Sequence, residues 1–220
     1  MTGASGGATR LFPIPLRGPA GALEALLQER EGESPSHIAV VCHPHPLYGG
    51  TLHNKVVHRV ASTLHALGAA VLRFNFRGVG RSEGKYDQGR GELDDARAAL
   101  DWLSEWHAGS RRWMAGFSFG SWIAARLAAA ETAGIEHLIL VAPPVLTSSF
   151  EVLQTLATPK LVVQGTADDM CPLSALEAEW PKWAEPRQLV TIAGANHFFD
   201  RRLGELGAAI TRALGESGAP

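Results

Sequence analysis

Short apolar runs alternate with longer amphipathic segments along most of this chain. The short runs are rich in β-branched residues and predict strands that are buried on both faces. The longer segments predict helices, as in 91–106, where Leu93, Ala96, Leu100 and Leu103 fall at helical spacing. Strands that alternate with helices predict an α/β protein with a parallel sheet and helices on both faces. The predicted strands are 38–42, 69–74, 112–116, 137–141, 160–164 and 189–192, and the predicted helices are 52–67, 91–106, 118–133, 173–183 and 200–214.

The start of the chain has a different pattern. Residues 1–9 are mostly small and polar and predict a flexible tail. Two short apolar segments follow, 11–16 and 23–28, and the turn-rich residues 17–21 between them predict an antiparallel β-hairpin. The sequence contains no internal repeat and no linker, so residues 10–220 are predicted to form a single domain.

Composition and charge exclude several classes of function. The 45% hydrophobic content is typical of a globular protein, and the net charge of -2 argues against nucleic-acid binding. No stretch approaches the ~20 apolar residues that span a bilayer, and the N-terminus lacks a signal-peptide pattern. Cys42 and Cys171 are predicted to be buried thiols rather than a disulfide. These features predict a cytoplasmic protein that does not bind membranes.

The sequence Gly-Phe-Ser-Phe-Gly at 116–120 carries the strongest chemical signal. It follows the predicted strand 112–116 and opens the next predicted helix. A strand, G-x-S-x-G and a helix in this order are typical of the nucleophile elbow of α/β-hydrolases. The glycines on either side of Ser118 let strand and helix approach closely, and the helix N-terminus favours negative charge. A plain glycine turn is the alternative, but the order of elements favours a nucleophile.

A serine hydroxyl needs a base, and the base needs a carboxylate to orient it. His197 lies between the last predicted strand and the last predicted helix, in a loop from which a base could reach Ser118. Asp168 and Asp169 both follow the strand 160–164, and one of them could instead cap the next helix. We predict Asp168 as the triad member and Asp169 as a surface or capping residue. The chain order Ser, Asp, His is that of α/β-hydrolases.

An oxyanion hole would complete such a site. One donor is predicted to be the backbone N–H of Phe119, the residue after the nucleophile. The other should come from the loop after the strand 38–42. Pro44 and Pro46 in that loop have no N–H, so the backbone N–H of His45 is the predicted second donor.

The histidines of the same loop allow a metal-binding interpretation. His43 and His45, with His53, are possible ligands, but a zinc site needs three or four ligands and no acidic residue lies within this loop. We therefore predict no metal. Five other histidines are predicted to be surface residues: His37, His58, His65, His107 and His137.

Several runs resemble one family. They are HPHPLYGGT at 43–51 with NKVV at 54–57, LRFNFRGVGRS at 72–82, the elbow, the loop 165–172 and NHFF at 196–199. With these runs the chain resembles the bacterial α/β-hydrolases related to dienelactone hydrolases, in particular small lidless members. The resemblance implies a mostly parallel eight-stranded sheet with the N-terminal hairpin on one edge, and hydrolysis of an ester or related acyl bond. Dienelactone hydrolases have cysteine at the elbow, whereas this chain has Ser118, which argues against dienelactone as substrate.

The predicted function is that of a serine esterase whose partner is a small-molecule ester and which needs no cofactor. A thioesterase, acyltransferase or peptidase would use the same triad, and a non-catalytic interaction module could share the fold. The connection 142–159 between two predicted strands is too short for a lid domain. We therefore expect an open, shallow acyl pocket lined by Tyr48, Phe119 and Phe198, and a preference for short acyl chains.

Overall fold

The computed structural model describes residues 7–130 and 134–216, and this part of the chain contains ten strands and five α-helices, which alternate from α1 to β8. The strands are β1 (Thr9–Pro13), β2 (Leu16–Gly18), β3 (Gly21–Leu23), β4 (Ala25–Arg30), β5 (His37–Cys42), β6 (Ala70–Phe74), β7 (Arg111–Phe117), β8 (Ile135–Val141), β9 (Lys160–Gly165) and β10 (Arg187–Ile192). The helices are α1 (Lys55–Ala66), α2 (Arg90–Trp106), α3 (Phe119–Ala130), α4 (Leu173–Glu179) and α5 (Leu203–Glu216).

Eight of these strands form one sheet in the order β1-β4-β6-β5-β7-β8-β9-β10. β4 runs antiparallel to both β1 and β6, and all other neighbours are parallel. This is the α/β-hydrolase fold, as predicted, with the N-terminal hairpin on one edge. Because parallel strands end at the same edge of a sheet, the loops after β5, β7, β9 and β10 meet there.

Each face of the sheet is covered by its own pair of helices. Val40 faces the core shared with α2 and α3, whereas the next residue, Val41, faces the core shared with α1 and α5. Both side chains are fully buried. This burial on two faces explains why the central strands read as continuous apolar runs rather than as alternating patterns.

The N-terminal hairpin is confirmed, but it divides into two parts. β1 pairs with β4 in the main sheet, and β2 pairs with β3 in a separate two-stranded sheet at the tip. The break falls at Ile14 and Pro15, where proline has no N–H to donate to a ladder. Of the tail predicted over 1–9, residues 1–6 lie outside the described residues, and Thr9 already belongs to β1.

The helices differ from prediction mainly at their ends. α1 begins at Lys55 rather than at 52, because the Asn54 side chain accepts hydrogen bonds from the next turn. α3 is described as far as Ala130, and the predicted residues 131–133 lie outside the described part of the chain. Within the described residues, no helix has the length and apolar character needed to cross a membrane.

The connection from β8 to β9 contains one short 3-10 turn, Glu151–Gln154, and the fold is lidless. Phe150 and Leu153 anchor this connection in the core. Both cysteines are free and buried, as predicted. The surface prediction is wrong for His65, which is buried and hydrogen-bonded through its ring to Thr9 Oγ1 and the Ala69 carbonyl.

Candidate active site

Ser118 lies on a sharp turn between β7 and α3. Its φ of 53° is in the left-handed region, which strains a residue with a side chain, and its amide donates to the Val141 carbonyl at 2.8 Å. A Cβ on Gly116 would lie 2.1 Å from the Gly120 carbonyl oxygen, and one on Gly120 would lie 2.3 Å from the Cys42 carbonyl oxygen. Both glycines are therefore required by close backbone contacts, and the turn is a nucleophile elbow in geometry.

His197 and Asp168 form a buried pair on the loops after β10 and β9. His197 Nδ1 lies 2.8 Å from Asp168 Oδ2, and the residues are 3% and 5% exposed. Asp169, by contrast, is exposed. The structure thus brings Asp168 to the histidine and leaves Asp169 at the surface.

Three further donors hold the Asp168 carboxylate. The amides of Met170 and Cys171 donate to Oδ1 at 3.0 and 2.8 Å, and Gln164 Nε2 donates to Oδ2 at 3.1 Å. The carboxylate is therefore an acceptor on every side and is held in a single orientation facing His197. The sequence analysis missed Gln164, which stands in a buried strand with no local motif around it.

Backbone contacts hold the two loops against each other. The Ala167 amide donates to the Ala195 carbonyl at 3.0 Å, and the Thr166 amide donates to the Ile192 carbonyl at 3.1 Å. A Cβ on Gly165 would lie 2.3 Å from the Ala195 carbonyl oxygen, so only glycine permits this approach.

Phe117 connects the histidine loop to the elbow. Its ring centroid lies 5.0 Å from the His197 ring and 6.0 Å from the Phe198 ring. Phe117 directly precedes Ser118, so this contact places His197 beside the elbow. The structure therefore gathers Ser118, Asp168 and His197 at one edge of the sheet, and their catalytic roles stay predictions.

The loop after β5 carries the predicted second oxyanion donor. Among the described residues, the amides of His45 and Phe119 have no hydrogen-bond partner. The loop is closed tightly, because the His45 carbonyl accepts from the amides of Tyr48 and Gly50, each at 3.1 Å. Each of these N–H groups is therefore available to donate a hydrogen bond to a bound molecule.

His43 is unsuited to metal binding. Its Nε2 accepts from the Phe76 amide at 3.0 Å, and its Nδ1 donates to the Pro44 carbonyl at 2.6 Å. Burial lowers the pKa of this histidine to about 4, so the ring is neutral. Both ring nitrogens are committed to the backbone, and the metal site considered for His43 and His45 lacks a ligand.

Another possible metal-binding group includes Cys171. The ligand atoms of Asp168, Cys171 and His197 lie within 4.8 Å of one another. Burial raises the pKa of the Cys171 thiol to about 12, so the thiol is protonated at neutral pH. His197 Nδ1 is already bonded to Asp168, which favours a hydrogen-bonded pair over a metal centre.

Exposed apolar side chains surround the site. Tyr48 is 84% exposed on the loop after β5, and Phe198 is 38% exposed on the loop after β10. The Lys55 ammonium lies 5.7 Å from the Phe198 ring centroid and pairs with Asp200. Phe119, expected to line the acyl pocket, is 5% exposed and packs beneath His45 and Tyr86.

Comparison with known proteins supports the class of α/β serine hydrolases. The family model described as serine aminopeptidase, S33, matches residues 34–153. An α/β serine hydrolase homologue from Coxiella burnetii is 41% identical with a TM-score of 0.87, covering 92% of this chain and 97% of its own. A lidless α/β serine hydrolase from Xanthomonas campestris is 35% identical with the same TM-score of 0.87, covering 97% and 98%.

A dienelactone hydrolase from Anabaena variabilis shares the fold at a TM-score of 0.78 and 17% identity, covering 93% of this chain and 96% of its own. The predicted relation to small lidless hydrolases and to dienelactone hydrolases is confirmed at the level of the fold.

Proposed function

This chain belongs to the serine aminopeptidase S33 family of α/β serine hydrolases, and from this we propose that it is an esterase that cleaves short-chain carboxylic esters through an acyl-enzyme. The observation that supports the proposal most is the buried pair of His197 and Asp168 beside the strained elbow of Ser118. A non-catalytic module would have no need to retain such a pair next to a strained serine.

In the proposed reaction, Ser118 Oγ attacks the ester carbonyl carbon and its proton passes to His197 Nε2. His197 Nδ1–H donates to Asp168, which fixes the tautomer that leaves Nε2 free to accept. The imidazolium then returns the proton to the alkoxide as the carbon–oxygen bond breaks, and the alcohol leaves. Water repeats the sequence on the acyl-serine and releases the acid, so no cofactor enters.

The negative charge that develops on the carbonyl oxygen is proposed to be bound by the amides of Phe119 and His45. Neither amide has a hydrogen-bond partner among the described residues. Phe119 also begins α3, so its N–H belongs to the positive end of a helix dipole. Donors on rigid backbone need no reorganisation in the transition state, and losing one typically slows an enzyme ~100- to 1,000-fold.

The proposed preference for short acyl chains is based on the short connection between β8 and β9, which contains no lid. The 3-10 turn Glu151–Gln154 is the one helical segment between β8 and β9. Tyr48 and Phe198 are proposed to contact the substrate, but both are exposed and offer little enclosed apolar surface for a long chain.

The family description favours one rival, an aminopeptidase, and a thioesterase or acyltransferase would use the same site. A panel that contains matched esters, thioesters and aminoacyl anilides of the same acyl group distinguishes these activities. We expect kcat/KM to be largest for the esters. A larger value for the aminoacyl anilides would replace the esterase proposal by a peptidase.

The nucleophile is tested by labelling with a fluorophosphonate probe. Wild type should be labelled and Ser118→Ala should not, and the variant should lose ~1,000-fold or more in kcat. Ser149→Ala is the matched control, because Ser149 is an exposed serine in the connection from β8 to β9. Equal labelling of Ser118→Ala and wild type would contradict the assignment.

A further inference from the structure

A cluster of aromatic rings lies on the elbow side of the loop after β5. We call His45, Tyr48, Tyr86, Phe119 and Trp122 the aromatic cluster. The His45 ring lies 4.6 Å from that of Tyr48, 5.0 Å from that of Tyr86 and 5.0 Å from that of Phe119. The Trp122 ring lies 5.7 Å from that of Phe119. Two of these five residues, His45 and Phe119, also carry the proposed oxyanion donors.

Hydrogen bonds hold three of the five rings in place, those of His45, Tyr86 and Trp122. His45 Nδ1 accepts from the Leu47 amide at 3.2 Å, so His45 Nε2–H donates to the Tyr86 hydroxyl at 3.2 Å. Trp122 Nε1 donates to the Ser149 carbonyl at 2.9 Å. Burial lowers the pKa of His45 and raises that of Tyr86, so both side chains stay uncharged at neutral pH. These three rings therefore form a fixed and uncharged aromatic base, against which the ring of Tyr48 packs.

The outer ring of the cluster is open to solvent. Tyr48 is 84% exposed although it packs against His45, whereas Phe119 at the base of the cluster is 5% exposed. An aromatic face left open beside a nucleophile can bind a second ring, because aromatic pairs gain energy beyond area burial.

The stereochemistry of the proposed reaction decides which part of the substrate meets this surface. The leaving alcohol must face His197, which returns its proton, and the oxyanion must face the amides of His45 and Phe119. The alcohol is thereby directed to the side of Phe198, whose ring lies 5.2 Å from that of His197. The acyl group is the remaining substituent, and the exposed aromatic ring left for it is that of Tyr48, since the ring of Phe198 lies on the side of the alcohol.

We propose that the aromatic cluster is an acyl subsite that selects esters of short carboxylic acids bearing an aromatic ring. This inference rests on the proposed esterase function and adds the substrate class. Tyr48 supplies the open face against which the ring of the acid packs, and Tyr86 and His45 hold that face in position.

The test compares substrates that differ only in aromaticity. Methyl 3-phenylpropanoate and methyl 3-cyclohexylpropanoate have similar size, and we expect wild type to prefer the phenyl ester by about 3- to 10-fold in kcat/KM. Benzyl propanoate and cyclohexylmethyl propanoate place the ring on the alcohol, beside Phe198, and their ratio should be the same in wild type and in Tyr48→Leu. An alcohol-pair ratio that falls in Tyr48→Leu as far as the acyl-pair ratio does would overturn the acyl-side assignment.

Variants of Tyr48 then test whether its ring causes the preference for the phenyl ester. Tyr48→Leu should reduce the phenyl-to-cyclohexyl ratio to near 1, whereas Tyr48→Phe should keep it, because the ring remains. Trp106→Leu, a remote aromatic that is 55% exposed on α2, is the control and should keep the wild-type ratio. Because each ratio is taken within one variant, a general loss of activity does not affect it.

The outcomes separate this inference from the esterase proposal. A wild-type ratio near 1 for the acyl pair, with both esters hydrolysed, would overturn the acyl subsite alone. A high ratio that Tyr48→Leu leaves unchanged would also overturn it. Failure to hydrolyse any ester of the panel would instead overturn the esterase function on which the inference rests.

Discussion

Replacing Asp168 by asparagine changes one atom of a carboxylate that accepts four hydrogen bonds. Oδ1 accepts from the amides of Met170 and Cys171, and Oδ2 accepts from His197 and Gln164. An asparagine has one oxygen and one NH₂ group in place of the two oxygens. Two of the four donors must therefore face the NH₂ group, which is itself a donor.

Both orientations of the new amide are unfavourable. If its oxygen faces His197, its NH₂ meets the amides of Met170 and Cys171. If its oxygen faces those amides, its NH₂ meets His197 Nδ1 and Gln164 Nε2. His197 can then accept only by moving its proton to Nε2, and that tautomer cannot take the proton of Ser118. Gln164 cannot turn freely either, because its Nε2 also donates to the Cys171 carbonyl at 2.7 Å.

We therefore expect Asp168→Asn to lower kcat by about 10,000-fold through the wrong tautomer. The conflict between donors in a buried site should also destabilise the fold by about 1–3 kcal/mol. The assay is kcat/KM on p-nitrophenyl acetate, with urea unfolding to show that the variant is folded. Asp169→Asn is the matched control because Asp169 is exposed, and it should stay close to wild type. A loss of less than about 10-fold in Asp168→Asn, or an equal loss in the control, would refute the reasoning.

The remaining predictions concern stability, metal dependence and chain length. Gly120→Ala should cost roughly 2–4 kcal/mol of stability in urea unfolding, because its Cβ would lie 2.3 Å from the Cys42 carbonyl oxygen. Gly204→Ala, with nothing within 4 Å, should instead be neutral or stabilising. Burial lowers the pKa of Lys160 to about 8, so the folded state releases a proton before the unfolded state does. Stability should therefore rise by about 1 kcal/mol between pH 8 and 9 in wild type relative to Lys160→Met; an equal pH dependence of the two proteins would contradict this. EDTA should leave turnover unchanged, and a loss that zinc restores would contradict the metal-free mechanism. Rates of hydrolysis of p-nitrophenyl esters from acetate to palmitate should be highest for short chains. A jump in rate above the solubility limit of the substrate would contradict the absence of a lid.

The order of strands and helices was predictable because each central strand is buried on both faces. Continuous apolar runs such as that of β9 are distinct from the periodic pattern of α2. The elbow was predictable for a local reason, since the glycines that its geometry requires lie within two residues of Ser118. Asp168 could be ranked above Asp169 by its place after the strand, although both satisfy the same motif.

Features that depend on distant contacts were not predictable. Gln164 reads as an ordinary strand residue until the loop after β9 folds back over it. His65 looks like a surface residue of an amphipathic helix, yet Thr9 covers it from the far end of the sequence. Tyr86 lies in a polar stretch, and its contact with His45 spans 41 positions. No local pattern contains this information.

The register of the sheet connects the fold to the candidate site. Cys42 pairs with Gly116, which aligns the loop after β5 with the elbow, and Gly165 pairs with Ile192, which aligns the two loops of Asp168 and His197. Burial of alternate side chains excludes a shift of one residue between neighbouring strands but not a shift of two, because a shift of two residues keeps every side chain on its face of the sheet. Such a slip would displace a loop by ~6.6 Å, more than twice the length of a hydrogen bond.

The close contacts of the glycines remove this ambiguity. Gly120 fits against the Cys42 carbonyl and Gly165 against the Ala195 carbonyl, with no room for even one more carbon atom at either position. A slipped register would bring a residue with a side chain to each of these contacts. The glycines that allow the strained turn therefore also select the one register in which the serine, the histidine and the aspartate lie on adjoining loops.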